Sequence, residues 1–367
     1  MQKDMHYYGT YCMARAAGMS RDKAQVMASA AQYVDDNVQR SPIEMRDGAR
    51  LLRTPTAHHV TDEPSNINPN DQRDVWVPFH FLPGNEASDL GDSDYGERLK
   101  CRKDSEPARA MVQNVVARVA TDTQGLERLG ITAHVYADTF SHFGFSGVSS
   151  DRNAVISDSF RFPGANPELI EDLQGKWRGF AERFRAEAKV ISSLKSWFAE
   201  KATAALGHGG VATYPDLPYL RWGFDYEHPT RLKDDRDNTA NFLEACAALH
   251  ELFCQAIAQQ PEFGGGVAWP FAKIKATVTQ ILATQGDEDE RSGAWRKAAQ
   301  AGKLYAQAET IPDYLGDQWT RWLKEADGKV DSQTALDHPA CRFHLAANAH
   351  RSWVLHELLP SRTLLVA

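Results

Sequence analysis

An excess of positive charge is the first thing this chain lacks: 41 Lys and Arg stand against 49 Asp and Glu, for a formal net charge of −8. That balance excludes the broad basic face on which non-specific binding of duplex nucleic acid depends. Cysteine is scarce too. Cys12, Cys101, Cys246, Cys254 and Cys341 are odd in number and form no CxxC pair. This excludes a disulfide framework and a thiolate zinc cluster, and leaves reduced, partly buried thiols. No run approaches the roughly 20 apolar residues of a membrane span. The opening MQKDMHYYGTY lacks the charged and then apolar segments of a secretory signal. The expectation is a cytoplasmic chain without a transmembrane segment, with signal-independent export, for instance as a secreted effector toxin, left open. Several catalytic signatures are missing: there is no HD dipeptide, HExxH, Walker A or GxGxxG, and GFSG at 144–147 is not a GxSxG elbow.

What is present reads as a helical globular protein. The 367 residues are 42% hydrophobic and 25% charged, enough for a substantial core. Helical periodicity predicts helices over 20–38, 107–125, 130–143, 167–206, 235–260, 268–285, 291–309, 317–327 and 334–357. Strand-like alternation is confined to Val75–Leu82. Segments 41–106 and 207–234 are rich in turn formers, and loops of that length usually serve a site. The expected fold is all-α, a multi-helix bundle with long site-forming loops. Its core is expected over 1–285, with loop insertions at 41–106 and 207–234. A helical extension over 286–367 packs on the same domain, and GDEDERSG at 286–293 is read as either a linker or a surface turn.

The chemistry concentrates in ITAHVYADTFSHFGFSG, residues 131–147. His134, Asp138 and His142 are spaced i, i+4, i+8 and fall within about 80° of arc on a helix. Imidazole and carboxylate in that register suit zinc or a similar divalent ion. A hydrogen-bonded His–Asp–His stripe is the competing reading. Asp35 lies in the apolar stripe Ala24, Met27, Ala28, Ala31, Val34, Val38, where a carboxylate needs a metal or a buried Arg as partner. His6 shares a helical face with Gly9, Thr10, Met13 and Ala17. His80 sits in the apolar run VWVPFHFLPG. His208 lies in LGHGGVATYPDLP, eight residues before Asp216. Each of these three histidines, taken alone, reads first as a satisfied core histidine and only second as a ligand. His250 reads as core; His344, His350 and His356 are spread around their helix.

The order of these residues is an early His, an Asp late in the next helix, a lone His, an HxxxD helix, another His, and a later His–acid pair. It resembles the all-helical zinc-dependent phospholipase C superfamily, which includes fungal single-strand-specific nucleases. Members hold three zinc ions in a cleft and hydrolyse phosphoesters. The resemblance implies two or three zinc ions, with His6, Asp35, His80, His134, Asp138, His142 and His208 as ligands and Asp216 as a further candidate. It implies that Asp35 bridges two metals and takes the proton from the attacking water. The family also ligates through its N-terminal amine; here either that amine or Asp4 is expected in the role. HGGVATYPD replaces the family's late His-xxx-Glu helix. The expected activity is phospholipase C-like cleavage of phospholipid head groups. A single-strand nuclease or nucleotidase is the first alternative, and a non-catalytic helical binding protein with a structural metal is the second. Tyr214 and Trp222, with other aromatics of 214–226, are expected to form either a substrate-binding lip or ordinary core.

Overall fold

A computed structural model describes residues 1–58, 68–86, 95–191, 207, 209–229 and 231–366. The chain is mostly helical, with two small antiparallel sheets among the described residues. A π-helical turn, Asp4–Gly9, runs into α1, Thr10–Ala16. Then come α2 (Arg21–Asp36), α3 (Glu106–Arg118), α4 (Gly125–Thr139), α5 (Pro167–Ile191) and α6 (Asn238–Gln259). The C-terminal helices are α7 (Phe271–Leu282), α8 (Glu288–Gln300), α9 (Gly316–Ala326), α10 (Ser332–Asp337) and α11 (Pro339–Trp353). Residues 192–206, the end of the expected helix 167–206, lie outside the described residues.

Local chemistry sets several of these boundaries. Side chains of Ser105, Asp237 and Asp331 accept backbone N–H groups at the starts of α3, α6 and α10, satisfying donors that a first turn leaves unpaired. GDEDERSG is a helix start: Asp287 and Glu290 form a reciprocal capping box on α8.

The one strand expectation is corrected. Val75–Leu82 is largely helical, in a run built of Pro69–Asp71, Gln72–Trp76 and Val77–Phe79. Asn68 caps its start by accepting from Asn70 and Asp71, with Pro69 pre-set for the first helical position. A short apolar run buried on all sides carries no usable periodicity. The observed strands lie elsewhere. β1 (Ile43–Glu44) pairs with β2 (Arg50–Leu51), and β3 (Arg221–Asp225) pairs with β4 (Lys233–Asp237). The β4 sequence is KDDRD, which offers no apolar alternation at all.

The helices that position the site are α2 and α4. Gly130 lets them touch: a Cβ there would come within 2.3 Å of the Met27 carbonyl and 2.7 Å of the Ala30 methyl. Any larger residue would push the helices apart. The main core joins the 4–9 turn, α1, α3, α4, α6, α7 and α8 with the end of the chain, through Met5, Tyr11, Met111, Leu129, Phe242, Trp295 and Leu359. A second cluster packs the end of α2 against α9 and α11 through Tyr33, Trp319 and Phe343. A third, largely aromatic cluster lies around β3. No helix among the described residues is long and apolar enough to cross a membrane.

Candidate metal centre

Asp35 and Asp138 are the penultimate residues of α2 and α4. Helix C-termini carry partial negative charge. Two such ends, each bearing a carboxylate, make a strongly cation-attracting spot, and neither carboxylate has a Lys or Arg partner among the described residues. Around them stand three imidazoles from three separate places. His134 comes from α4, one turn before Asp138. His6 comes from the π-helical turn, and its ring stacks on that of His134 at 3.8 Å. His80 ends the 69–79 helical run, and its ring meets His134 edge-on at 5.1 Å.

Backbone carbonyls orient the rings. His134 donates from Nδ1 to the Ala31 carbonyl at 2.8 Å, a contact the close α2–α4 approach allows. His80 donates from Nε2 to the Thr56 carbonyl at 2.8 Å. His142 donates from Nδ1 to the His80 carbonyl at 3.0 Å. In a neutral imidazole one nitrogen carries the proton and the other is a bare acceptor. Each ring therefore turns a lone pair inward. His134 Nε2 and His80 Nδ1 lie 3.3 Å apart, lone pair against lone pair. His134 Nε2 is 3.2 Å from Asp138 Oδ2 and 3.7 Å from Asp35 Oδ1. His80 Nδ1 is 3.5 Å from Asp138 Oδ2 and 3.8 Å from Asp35 Oδ1. Acceptors facing acceptors repel unless a cation sits between them. A tetrahedral ion with bonds of about 2.0–2.1 Å separates its ligands by about 3.4 Å. The five distances just given bracket that edge length.

A second set forms on the other oxygen of the same carboxylate. The Met1 amino group is 2.9 Å from Asp138 Oδ1, and His6 Nε2 is 3.2 Å from it. A third set follows beyond the amine: Met1 N lies 3.0 Å from Asp216 Oδ1 and 3.3 Å from His142 Nε2, with His142 Nε2 and Asp216 Oδ1 3.2 Å apart. Both His6 nitrogens and Asp138 Oδ2 are buried without a hydrogen bond. Such groups normally find a partner, and a metal is one that satisfies imidazole and carboxylate together.

Electrostatics favour the imidazoles of that set as donors. Burial holds His6 down to about 4, and holds His134 well below the usual imidazole range, so both are neutral ligands at pH 7. Burial alone would raise Asp138, but His142, the Met1 ammonium, His134 and His6 outweigh it and keep the carboxyl well below its ordinary value. Asp35 is pushed well above the carboxylate range, first by burial and then by Asp138, Asp36 and Asp216, with the Met1 ammonium opposing. Burial opposes the charge on that amine, yet Asp138, Asp216 and Asp35 together push it to about 11. The Asp35 side chain is 30% exposed, against 0–1% for His134 and Asp138, so the centre opens toward solvent at Asp35.

The structure thus brings together His6, Asp35, His80, His134, Asp138, His142 and Asp216. His208 lies outside the described residues. The one-helix stripe is corrected: α4 ends at Thr139, and His142 sits in the turn beyond it. It still converges, because His142 N–H donates to the Asp138 carbonyl at 2.8 Å and the ring stacks on Phe81. Asp4 is not in the centre; it pairs with Arg291 at 3.0 Å. Tyr214 and Trp222 form no lip. Both are 1% exposed in the aromatic core, with the Tyr214 hydroxyl donating to the Leu173 carbonyl and the Trp222 indole donating to Asn238.

Residues 1–358 match one family of proteins along almost the whole chain. The chain belongs to DUF6765, a family of unknown function. No curated protein and no solved structure matches it. The centre also contains groups that the sequence reading did not reach. The Ala31 and Thr56 carbonyls are invisible to side-chain patterning. Gly130 had a readable signal, since a glycine inside a helical pattern marks close packing.

Proposed function

We propose that this chain is a metal-dependent phosphoester hydrolase related in plan to the zinc-dependent phospholipases C. His80, His134, Asp35 and Asp138 would hold one divalent ion. His6 and Asp138, with Asp35, would hold a second, and His142 and Asp216 would contribute to a third. The observation that carries the reading is the inward-facing lone pairs of His134 and His80, set at tetrahedral spacing with two carboxylate oxygens. Zinc suits nitrogen and carboxylate donors at this spacing. When bound, such ions polarise a phosphoryl oxygen and bring the pKa of water toward neutrality.

The chain's own groups supply the remainder. Asp138 presents its two oxygens to two different sets and fixes their separation. Asp35, the partly open carboxylate, is placed to accept the proton of the attacking water. The backbone bonds of His134, His80 and His142 keep each ring in one tautomer and one orientation, which raises ligand basicity. A purely structural zinc would close on four ligands with no open position; more than four donors and an opening at Asp35 favour catalysis. Phospholipid head groups are the proposed substrate, with single-stranded nucleic acid as the alternative to be assayed beside them.

The test is bound metal per chain by elemental mass spectrometry, on wild type and Asp138→Ala purified without chelator or nickel. Two or three zinc-like ions, reduced in the variant, support the reading. Hydrolysis is then followed on phosphatidylcholine vesicles and on single-stranded DNA. A wild-type chain that holds no metal, and takes none up from added zinc, overturns it.

A further inference from the structure

We infer that Arg236 and Asn238 are positioning residues that set the spacing of His142 and Asp216; the inference rests on the metal-centre reading above. Neither His142 nor Asp216 lies on a long helix. His142 follows the end of α4, and Asp216 ends the short 3-10 turn Tyr214–Asp216. Something else must hold the two loops in register, and the junction of β4 with α6 touches both.

Arg236, on β4, donates from Nη1 to the Ser141 carbonyl at 3.1 Å and from Nη2 to the Phe143 carbonyl at 2.6 Å. Those are the two neighbours of His142 in sequence. Two residues on, Asn238 donates from Nδ2 to the Tyr214 carbonyl at 2.7 Å and the Leu217 carbonyl at 2.8 Å, which bracket Asp216. The Trp222 indole N–H donates to Asn238 Oδ1 at 3.0 Å and so fixes the amide's orientation. One tripeptide, Arg236–Asp237–Asn238, therefore grips the backbone on both sides of each ligand.

The grip is tight. The Arg236 guanidinium is 4.1 Å from the Phe143 ring and 5.1 Å from that of Phe145, and lies against Trp222 and Phe224. Asp234 balances its charge at 2.7 Å. The Tyr226 hydroxyl donates to the Gly144 carbonyl at 3.0 Å. Gly144 has φ +84°, and a Cβ there would meet the Tyr226 oxygen at 2.4 Å and Arg236 Nη2 at 3.0 Å, so only glycine fits the turn. A buried ion pair is a poor way to gain stability, since hydrophobic replacements often do as well. Its use here is geometric: the planar fork reaches the two carbonyls from two nitrogens at a fixed separation, whereas an ammonium offers all its donors from one nitrogen at no fixed angle.

The experiment is a zinc and cobalt(II) titration against a competing chelator, with cobalt absorption and circular dichroism, on wild type, Arg236→Met, Arg236→Lys, Asn238→Ala and Arg161→Ala. Arg161 braces the same hairpin through Asp225 and Asp235 without touching the described residues of the His142 or Asp216 loop, and serves as the control for a loosened sheet. In Arg236→Met and Asn238→Ala, one class of ion should weaken by about 10–100-fold, the range for groups that orient a ligand. The ion held by Asp35, His80, His134 and Asp138 should keep its affinity and its cobalt spectrum. Arg236→Lys should recover part of the loss, and it keeps the question answerable if the Met variant does not fold. Arg161→Ala should bind as wild type. Folded Arg236 and Asn238 variants that bind every ion as wild type, or a uniform weakening shared by Arg161→Ala, overturn the inference alone. A wild type that holds no metal removes the metal-centre reading, and this inference with it.

Discussion

Two groups of buried histidines, set apart from His58 with its Asp71 partner, invite comparison. His6, His80, His134 and His142 surround Asp35 and Asp138. His250, His344 and His350 lie in the α6 and α11 part of the core. All seven are at most 6% exposed, so burial alone does not separate them. Nor does having a backbone partner: His250 and His350 donate to the Trp269 and Pro78 carbonyls, just as His134 and His80 donate to theirs. The difference is what the second nitrogen meets. In the centre it meets carboxylate oxygens and another bare nitrogen. In the core the surroundings are rings and a thiol: the His350 ring stacks on Phe79, the His344 ring lies edge-on to Tyr33 and Phe343 with Nε2 buried and unbonded, and His250 Nδ1 faces the Cys254 thiol. A buried histidine satisfied on one side is a packing residue; several whose second nitrogens converge on carboxylates form a group that could hold a metal.

The comparison breaks most sharply at Asp138. Asp138→Ala removes the carboxylate shared by both halves of the centre. The phosphodiesterase activity proposed above should fall by more than about 100-fold, the upper end for a group that merely orients a ligand. Bound metal should fall with it. His350→Leu, by contrast, should cost about 1–3 kcal/mol of stability through the unpaired Pro78 carbonyl, and leave metal per folded chain unchanged. Equal metal loss in both variants would erase the distinction between the two groups.

A somewhat smaller effect sharpens it. A ligand that binds only the folded state stabilises it by about 2.7 kcal/mol at 100 times its dissociation constant. Added zinc should raise the denaturant midpoint of wild type and of His350→Leu by that order. It should leave Asp138→Ala far less changed. Stabilisation of all three alike would point to zinc binding elsewhere.

The long helices were legible in the sequence because their apolar residues recur at helical spacing. The HxxxD pair on α4 was legible for the same reason: helical spacing converts directly into a shared face. Helical spacing overran the end of α4. It carried the stripe on to His142, but α4 stops at Thr139, and the third residue reaches the centre through a turn that periodicity does not describe. His80 was singled out as a lone polar residue in an apolar run, which is a composition signal; its helical setting was not, because VWVPFHFL is buried on both sides. β4 was illegible, since KDDRD becomes a strand only through Arg236 and its pairing with β3. The carbonyls of Ala31 and Thr56 leave no mark on residue identity, yet they decide which nitrogen each histidine turns inward.

Acid should separate the core group in its own way. Burial holds His344 down to about 3 and His350 to about 4, against 6.5 for an ordinary imidazole. Between those values the unfolded chain binds a proton that the folded chain refuses. Stability therefore rises with pH across that window and is lost as pH falls below about 6.5, by up to about 1.4 kcal/mol per pH unit for each such group. Below about 3 the folded His344 protonates as well and its slope vanishes. His344→Asn keeps an acceptor for the Thr54 N–H, which now reaches Nδ1 at 3.3 Å, but cannot titrate. Urea unfolding from pH 7 to pH 4 should show a slope shallower by roughly one proton in this variant, whatever its baseline stability. An unchanged slope would mean that His344 is not held neutral by its surroundings.

The smallest expected effect decides how far the centre's influence extends. Tyr214 sits two residues from Asp216, yet its hydroxyl points the other way, to the Leu173 carbonyl at 2.9 Å. Tyr214→Phe removes that one hydrogen bond and should cost about 1 kcal/mol of stability. It removes nothing from the opening at Asp35, so KM for a phosphodiester should stay within about twofold of wild type, since a lost substrate hydrogen bond would cost about 1 kcal/mol or more of binding. A several-fold rise in KM with stability unchanged would restore Tyr214 to the substrate's path. It would also place the mouth of the centre on the 214–226 side rather than at Asp35.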